Sequence, residues 1–389
     1  MWTILLIAMI QMPQLALTAG ISSIKAYFDM PEAAVQTAVA LPNLISTISG
    51  IFAAILIQFG VLPKKNSVVA GVAALSAAAI IAIFFHSAFW QVYLFSVLIG
   101  TGMGMFIPTA QSILLDTFDA RALQILTGAQ ASFINGGGVI LSVLGGLLIT
   151  LTGRWYSVYV MLLVTLPVAV IAAKTLPGAK KSERRGKGGA RRGNRLPRDV
   201  YYYTAVVLVY MLFNGTMSVN LSTHIADYHI GNAATAGVAL AFMMAGGVAA
   251  GFIFPLLSRR LRDNMLTLSF FVLFVGYTLI NLFPASLAVI MLSALLCGTT
   301  LPTTLPQCIF AVSHIVDPSN SSTASMLIGT LASGVGSFLS PVLFTNLTEA
   351  LFGSSTSARY QFVGILSLAA AILMFFNNVR RDKKAKAAV

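Results

Sequence analysis

Between residues 2 and 378 the chain reads as twelve apolar stretches of 19 to 30 residues, separated by short polar gaps. They fall near 2–24, 36–59, 66–86, 89–115, 123–152, 155–175, 201–226, 234–257, 265–283, 286–313, 322–350 and 358–378. A bilayer core about 30 Å thick needs roughly twenty residues of helix to cross it. Backbone groups in lipid have no water to bond, so an apolar run of that length spans as a helix. The pattern predicts an all-α polytopic membrane protein of twelve transmembrane helices. Composition agrees: 57% of residues are hydrophobic and 9% charged, where soluble domains run near about 25% charged. An ordinary soluble enzyme is excluded.

The net charge of +13 invites a nucleic-acid reading, but its distribution argues against one. Of 24 lysines and arginines, 21 fall on one side of a twelve-span arrangement, and Lys25, Arg154 and Arg359 on the other. Basic loops face the cytoplasm, so both termini are expected there, in a plasma (inner) membrane. Ten of these charges crowd between Lys174 and Arg198. That gives an N-terminal six-helix half over 1–175, a solvated basic linker over 176–199, a C-terminal half over 200–379 and a basic tail over 380–389. The first apolar run has no basic region before it and no clear cleavage site, so it is read as a span rather than a signal. Cys297 and Cys308 lie in apolar stretches and read as buried small hydrophobes, not as a disulfide or metal site.

Sliding the chain on itself by 198 to 200 positions produces coincidences. Val39-Ala40-Leu41 meets Val238-Ala239-Leu240, Pro108 meets Pro306, and Gly137 meets Gly336. Gln14 meets Asn214 in the middle of spans one and seven, and Lys25 meets His224 at their ends. Parallel repeats of six helices are a common plan of secondary transporters.

The chain resembles the major facilitator superfamily over nearly its whole length. After span two, where that family carries Gly-x-x-x-Asp-Arg-x-Gly-Arg-Arg, this chain has Gly60 and the pair Lys64-Lys65 without the acid. Arg259, Arg260 and Arg262 form a second basic copy. Span five resembles the Gly-x8-Gly-x3-Gly-Pro-x2-Gly-Gly pattern of the family's drug–proton antiporters. Gly128, Gly137, Gly145 and Gly146 keep four of its six positions, with Leu141-Ser142 in place of Gly-Pro. Ser340-Pro341 in span eleven is the repeat-related counterpart. Glycines on one face let helices approach closely, so packing is the first expectation for Gly128, Gly137, Gly145, Gly146 and Pro341. The resemblance implies the major facilitator fold, a substrate site at mid-membrane, and spans one, four, seven and ten lining it.

Apart from their ends the expected spans carry no lysine, arginine, aspartate or glutamate. Ionised groups at a helix centre are expensive and mark function, so neither a central proton-carrying carboxylate nor a central anion clamp is expected. The polar set is neutral instead. Gln11 and Gln14, spaced i,i+3, share one face of span one beside the helix-bending Pro13; Tyr210 and Asn214, spaced i,i+4, share one of span seven. Asn135 and Thr303 join them as candidate substrate contacts, with Met243 in an adaptable apolar wall. Lys25, Asp29, Glu32, His224 and Asp227 lie at span ends; the acids are the candidates if transport is coupled to protons. Asp116 and Arg121 close span four and are candidates for gating. No phosphate-binding loop or catalytic constellation stands out, and no cofactor or metal is expected.

The leading expectation is a monomeric secondary transporter of a small organic molecule, exporting lipophilic or weakly charged compounds and surrounded by membrane lipid. Uptake of a small carboxylate, sugar or nucleoside is the alternative within transport, and a transport-dead sensor the alternative outside it.

Overall fold

The computed structural model describes residues 2–118, 120–177, 196–261, 264–313, 315–316, 324 and 326–387. Most of the basic linker, the side chain of Arg121 and the surroundings of Gly128 lie outside what the structure describes. Among the described residues there is no strand, and twelve helices are long and apolar enough to cross a membrane. They are Trp2–Ala19, Glu32–Gln58, Lys64–Phe84, Phe89–Leu114, Ala129–Thr152, Trp155–Thr175, Arg198–Asp227, Ala233–Phe254, Asn264–Leu282, Leu287–Val312, Leu327–Phe352 and Thr356–Arg380, here spans one to twelve. Each expected apolar run has its helix. Span two begins before its expected apolar run and thereby takes in Glu32, while Glu349 and Arg359 lie near the ends of spans eleven and twelve.

Three spans depart from a plain α-helix, each for a local reason. Span one is helical over Trp2–Met9 and Gln14–Ala19, and a further helix, Ile21–Phe28, continues it. Pro13 has no N–H to give and its ring collides with the carbonyl four residues back, which is Met9, where the first piece stops. Span six breaks at Leu163-Val164, between Val158–Leu162 and Thr165–Thr175. Pro167 stands four residues after Leu163, and the turn is carried by i→i+3 bonds such as Val164 N–H to Met161 O. Span eleven widens into π-helix over Leu327–Ala332 and Pro341–Thr345, the second stretch beginning at the proline. Pro108 in span four and Pro306 in span ten sit inside unbroken helices.

The chain falls into two compact units, Met1–Arg192 with Gly231–Ala241, and Gly193–Ile230 with Phe242–Val389. Inside the first, a Cβ on Gly137 would collide with the Met9 carbonyl, and one on Gly145 would stand 3.0 Å from Ala16. Inside the second, a Cβ on Gly336 would stand 2.8 Å from the Leu208 carbonyl and 2.7 Å from Met211. The pairs 9–137 and 208–336 are each displaced by 199 residues. So are two side-chain contacts that tie the start of the first span of each unit to the end of its last. Thr3 bonds Thr175 at 2.7 Å, and the Tyr202 hydroxyl meets Met374 Sδ at 3.2 Å. The repeat inferred from sequence is a repeat of helix packing.

Candidate functional site

In the first unit the break in span one corrects the expectation that Gln11 and Gln14 share a helical face. Gln11 lies in the bend and Gln14 opens the next helix, so their spacing along the chain no longer fixes a common direction. Gln11 is buried at 6% exposure, and its Nε2 has no hydrogen-bond partner among the described residues. Neither has Gln14 Oε1, although its backbone carbonyl accepts from Thr18 at 2.9 Å. A buried amide left unpaired costs about 1–3 kcal/mol, more than most folds leave in place without a use. Asn135, half-buried in span five, turns its Nδ2 back to the Ala131 carbonyl at 2.9 Å, a bond within its own helix.

Sequence reasoning overlooked Gln130. It is 1% exposed on span five, with both amide atoms unpartnered among the described residues. Nothing in the sequence around it marks it out.

Three of the span-five glycines are contact points. Gly137 meets Met9, Gly145 meets Ala16, and Gly146 meets the Ala233 carbonyl at the start of span eight, within the same unit. The surroundings of Gly128 lie outside the described residues.

The charged candidates of this unit separate. Glu32, the first residue of span two, is buried at 3% exposure. Gln36 Nε2 donates to its Oε1 at 2.7 Å, and Lys25 Nζ stands 3.8 Å from its Oε2. Asp29 is exposed, in a left-handed conformation (φ 50°) that ends the Ile21–Phe28 helix. At the other end of the unit Lys64 pairs with exposed Asp116. This supplies a link from the segment after span two to the end of span four, where the signature acid is lacking. Arg121 lies outside the described side chains.

In the second unit, span seven is one helix over Arg198–Asp227, so Tyr210 and Asn214 do share a face. Tyr210 is fully buried and its hydroxyl bonds Thr300 at 2.8 Å on span ten, while Thr303 bonds Ser269 at 2.9 Å. These hydroxyls cross-link the bundle. Asn214, at 7% exposure, is different: its Oδ1 has no partner among the described residues. Met243 is buried, its backbone carbonyl against Gly298. Pro341 opens the π-helical stretch after Ser340, whose hydroxyl meets Thr216 at 3.2 Å.

His224 is not the solvent-facing counterpart of Lys25 that the repeat suggested. It is fully buried, its Nδ1 2.9 Å from Thr356 Oγ1 and its Nε2 2.9 Å from the Pro284 carbonyl. The strongest charged group here, Arg359, falls at the very start of the last expected span, 358–378, among the charges on the outer side. It is wholly buried in span twelve, donating to Asn220 Oδ1 at 2.8 Å and to Glu349 Oε1 at 2.9 Å. Its signal was the acid ten residues earlier, at the end of the preceding span. Asp227 is exposed. Among the described residues no cluster of His, Cys, Asp or Glu is built to hold a metal.

Comparison with solved structures places this architecture. The peptide transporter PepTSo of the POT family superposes with a TM-score of 0.75 at 13% identity, covering 98% of each chain. The nucleoside transporter NupG gives 0.73 at 11% identity, over 97% of this chain and 98% of that one. A D-xylose–proton symporter gives 0.73 at 12% identity, over 96% and 95%. At these identities the likeness is one of fold. A search of curated protein sequences returned no match. The sequence model of the Major Facilitator Superfamily matches residues 2–341, and with twelve spans in place the chain belongs to that superfamily of membrane transporters.

Proposed function

We propose that the protein is a secondary active transporter that moves a small, uncharged or weakly charged organic molecule by alternating access. The observation carrying this reading is that each unit, taken by itself, buries amide atoms without a partner among the described residues: Gln11 Nε2, Gln14 Oε1 and both Gln130 amide atoms in the first, Asn214 Oδ1 in the second. Each is an uncharged donor or acceptor, the chemistry that binds a neutral solute. Of the two basic groups an acidic substrate would need, His224 is held by Thr356 and Pro284, and Lys25 already faces an acid, Glu32, at 3.8 Å. The carboxylate version of uptake therefore has the least support.

Export is the direction favoured by the antiporter-like glycines of span five, Gly137, Gly145 and Gly146. Uptake of a neutral polar solute, a sugar or a nucleoside, is the second reading, favoured by the same amides. Cytoplasmic termini in a plasma membrane follow from the basic loops, and proton coupling is the companion proposal.

Proteoliposomes loaded with a lipophilic dye, a labelled sugar or a labelled nucleoside, with and without a pH gradient, test these readings. Gradient-dependent movement of the dye supports export, and movement of the sugar or nucleoside alone supports uptake. If nothing moves and single-cysteine reporters never change the side from which they are labelled, the transporter reading fails.

A further inference from the structure

We propose that the groove between spans two and four holds one acyl chain of an anionic phospholipid, whose head group is drawn to Lys65. The binding does not depend on the transport reading above.

The groove originates in glycine. Where spans two and four run side by side, a Cβ on Gly100 would stand 2.8 Å from the Pro42 carbonyl, and one on Gly104 would collide with the Ser46 carbonyl. Small residues four apart bring two helix backbones together in a membrane, and the larger side chains flanking the seam then rise as walls. On one side they enclose a groove of about 340 Å³, with Ile45, Ile48, Phe52 and Leu56 from span two and Val97 and Met105 from span four. Phe52 is 63% exposed, and Ile48, Leu56 and Val97 are exposed with it.

Length and polarity both select a hydrocarbon chain. From Ile45 to Leu56 the helix rises about 16 Å, roughly half of a 30 Å bilayer core, which is the depth of one leaflet. The polar side chains of the lining are Ser49 and Thr101, and Ser49 donates its hydroxyl to the Gly100 carbonyl at 3.2 Å. A solute that needs several hydrogen bonds is not served there. An acyl chain gains by every methylene it buries.

Charge selects the head group. The groove ends at Leu62, and after Pro63 the chain enters span three through Lys64 and Lys65. Lys64 pairs with Asp116 at the end of span four, whereas Lys65 has no ion pair among the described residues. Basic groups between helices on the cytoplasmic side attract anionic lipid heads, and an ammonium binds phosphate as a point charge. Phosphatidylglycerol meets Lys65 with a net negative charge; phosphatidylcholine brings a cation of its own. At the repeat-related positions Gly100, Gly104 and Lys65 become Thr299, Thr303 and Asn264, so the seam and its lysine belong to the first unit.

The test uses brominated lipids, which quench a tryptophan that they touch. Phe52→Trp puts a reporter in the groove of the full chain, with wild type supplying the background of Trp2, Trp90 and Trp155. Ile48→Trp is the second reporter if the first fails to fold. In phosphatidylcholine vesicles, half-quenching should need about fivefold less brominated phosphatidylglycerol than brominated phosphatidylcholine, the preference one lysine gives at a membrane surface. Adding Lys65→Gln should abolish that preference. Ile365→Trp, on an exposed part of span twelve, should show none. Equal quenching by the two lipids in the groove, a preference that survives K65Q, or the same preference at I365W overturns the proposal. A protein that moves no solute yet keeps the preference would defeat the transport reading and leave the lipid site standing.

Discussion

Spans one and seven stand 199 residues apart and present the same backbone atom to the same partner, yet one is broken and the other runs unbroken for 30 residues. Met9 offers its carbonyl to Gly137, and Leu208 offers its carbonyl to Gly336. What differs is a few side chains. Pro13 denies Met9 an intrahelical bond, whereas the equivalent Leu212 keeps its N–H; Gly20 opens a joint where span seven has Val219. The close approach of helices is held in common, and the continuity of the span is free to vary. The polar groups vary with it: Gln11 and Gln14 flank the break, while Asn214 projects from an intact helix. The charges at the ends diverge most, a loose pair of Lys25 and Glu32 against a buried Arg359 gripping Glu349 and Asn220.

The sharpest way to break this contrast is to remove each cation. Arg359→Met strips a fully buried guanidinium from two partners, and breaking a buried pair costs about 3–5 kcal/mol. Lys25→Met removes a part-exposed lysine, worth at most about 1 kcal/mol. Thermal unfolding in detergent should show a large fall in Tm for the first and a small one for the second. Equal falls would mean that the two ends are the same kind of structure after all.

A second comparison weighs the two close approaches. Gly137→Ala puts a methyl into the Met9 carbonyl, and both atoms belong to backbone or Cβ, so relief requires moving a helix. Gly336→Ala puts a methyl 2.7–2.8 Å from Met211 Cβ and the Leu208 carbonyl, a shallower overlap. Overpacking costs about 1–3 kcal/mol, and the first variant belongs at the top of that range. Yield of folded protein should fall further for Gly137→Ala than for Gly336→Ala. The reverse order would show that the break in span one gives it slack to yield.

Much of this architecture is legible without coordinates. All twelve spans follow from hydropathy because lipid leaves the backbone no alternative to a helix. The 199-residue repeat is visible in Gly137 and Gly336 because only glycine admits the neighbouring backbone. The i,i+3 reading of Gln11 and Gln14 fails because periodicity presumes an unbroken helix, and Pro13 lies between them. Hydropathy leaves Glu32 outside span two and Arg359 at the very edge of span twelve, because it counts both as polar. Their burial depends on partners, Glu349 and Asn220 for one, Gln36 and Lys25 for the other, that no window along the chain brings together. His224 misleads similarly: symmetry gives its register, but burial against Thr356 and Pro284 is a property of its own unit. Gln130 carries no motif at all; only its lack of a partner singles it out.

The smallest expected effect bears on the substrate. Gln14→Leu and Asn214→Leu each replace a polar group, unpartnered at one amide atom, by an apolar one of similar size. Removing a polar atom that has no partner should leave the fold's stability unchanged or slightly raised, since its desolvation cost disappears. If the same atom receives a hydrogen bond from a bound solute, that bond is lost, at about 1 kcal/mol. Half-saturation for the transported compound should then rise by about fivefold in each variant, with Tm held or increased. The pairing of the two readouts is what decides. A loss of stability with no change in half-saturation would make Gln14 and Asn214 structural. A change in one variant alone would assign the solute contact to that residue and leave the other structural.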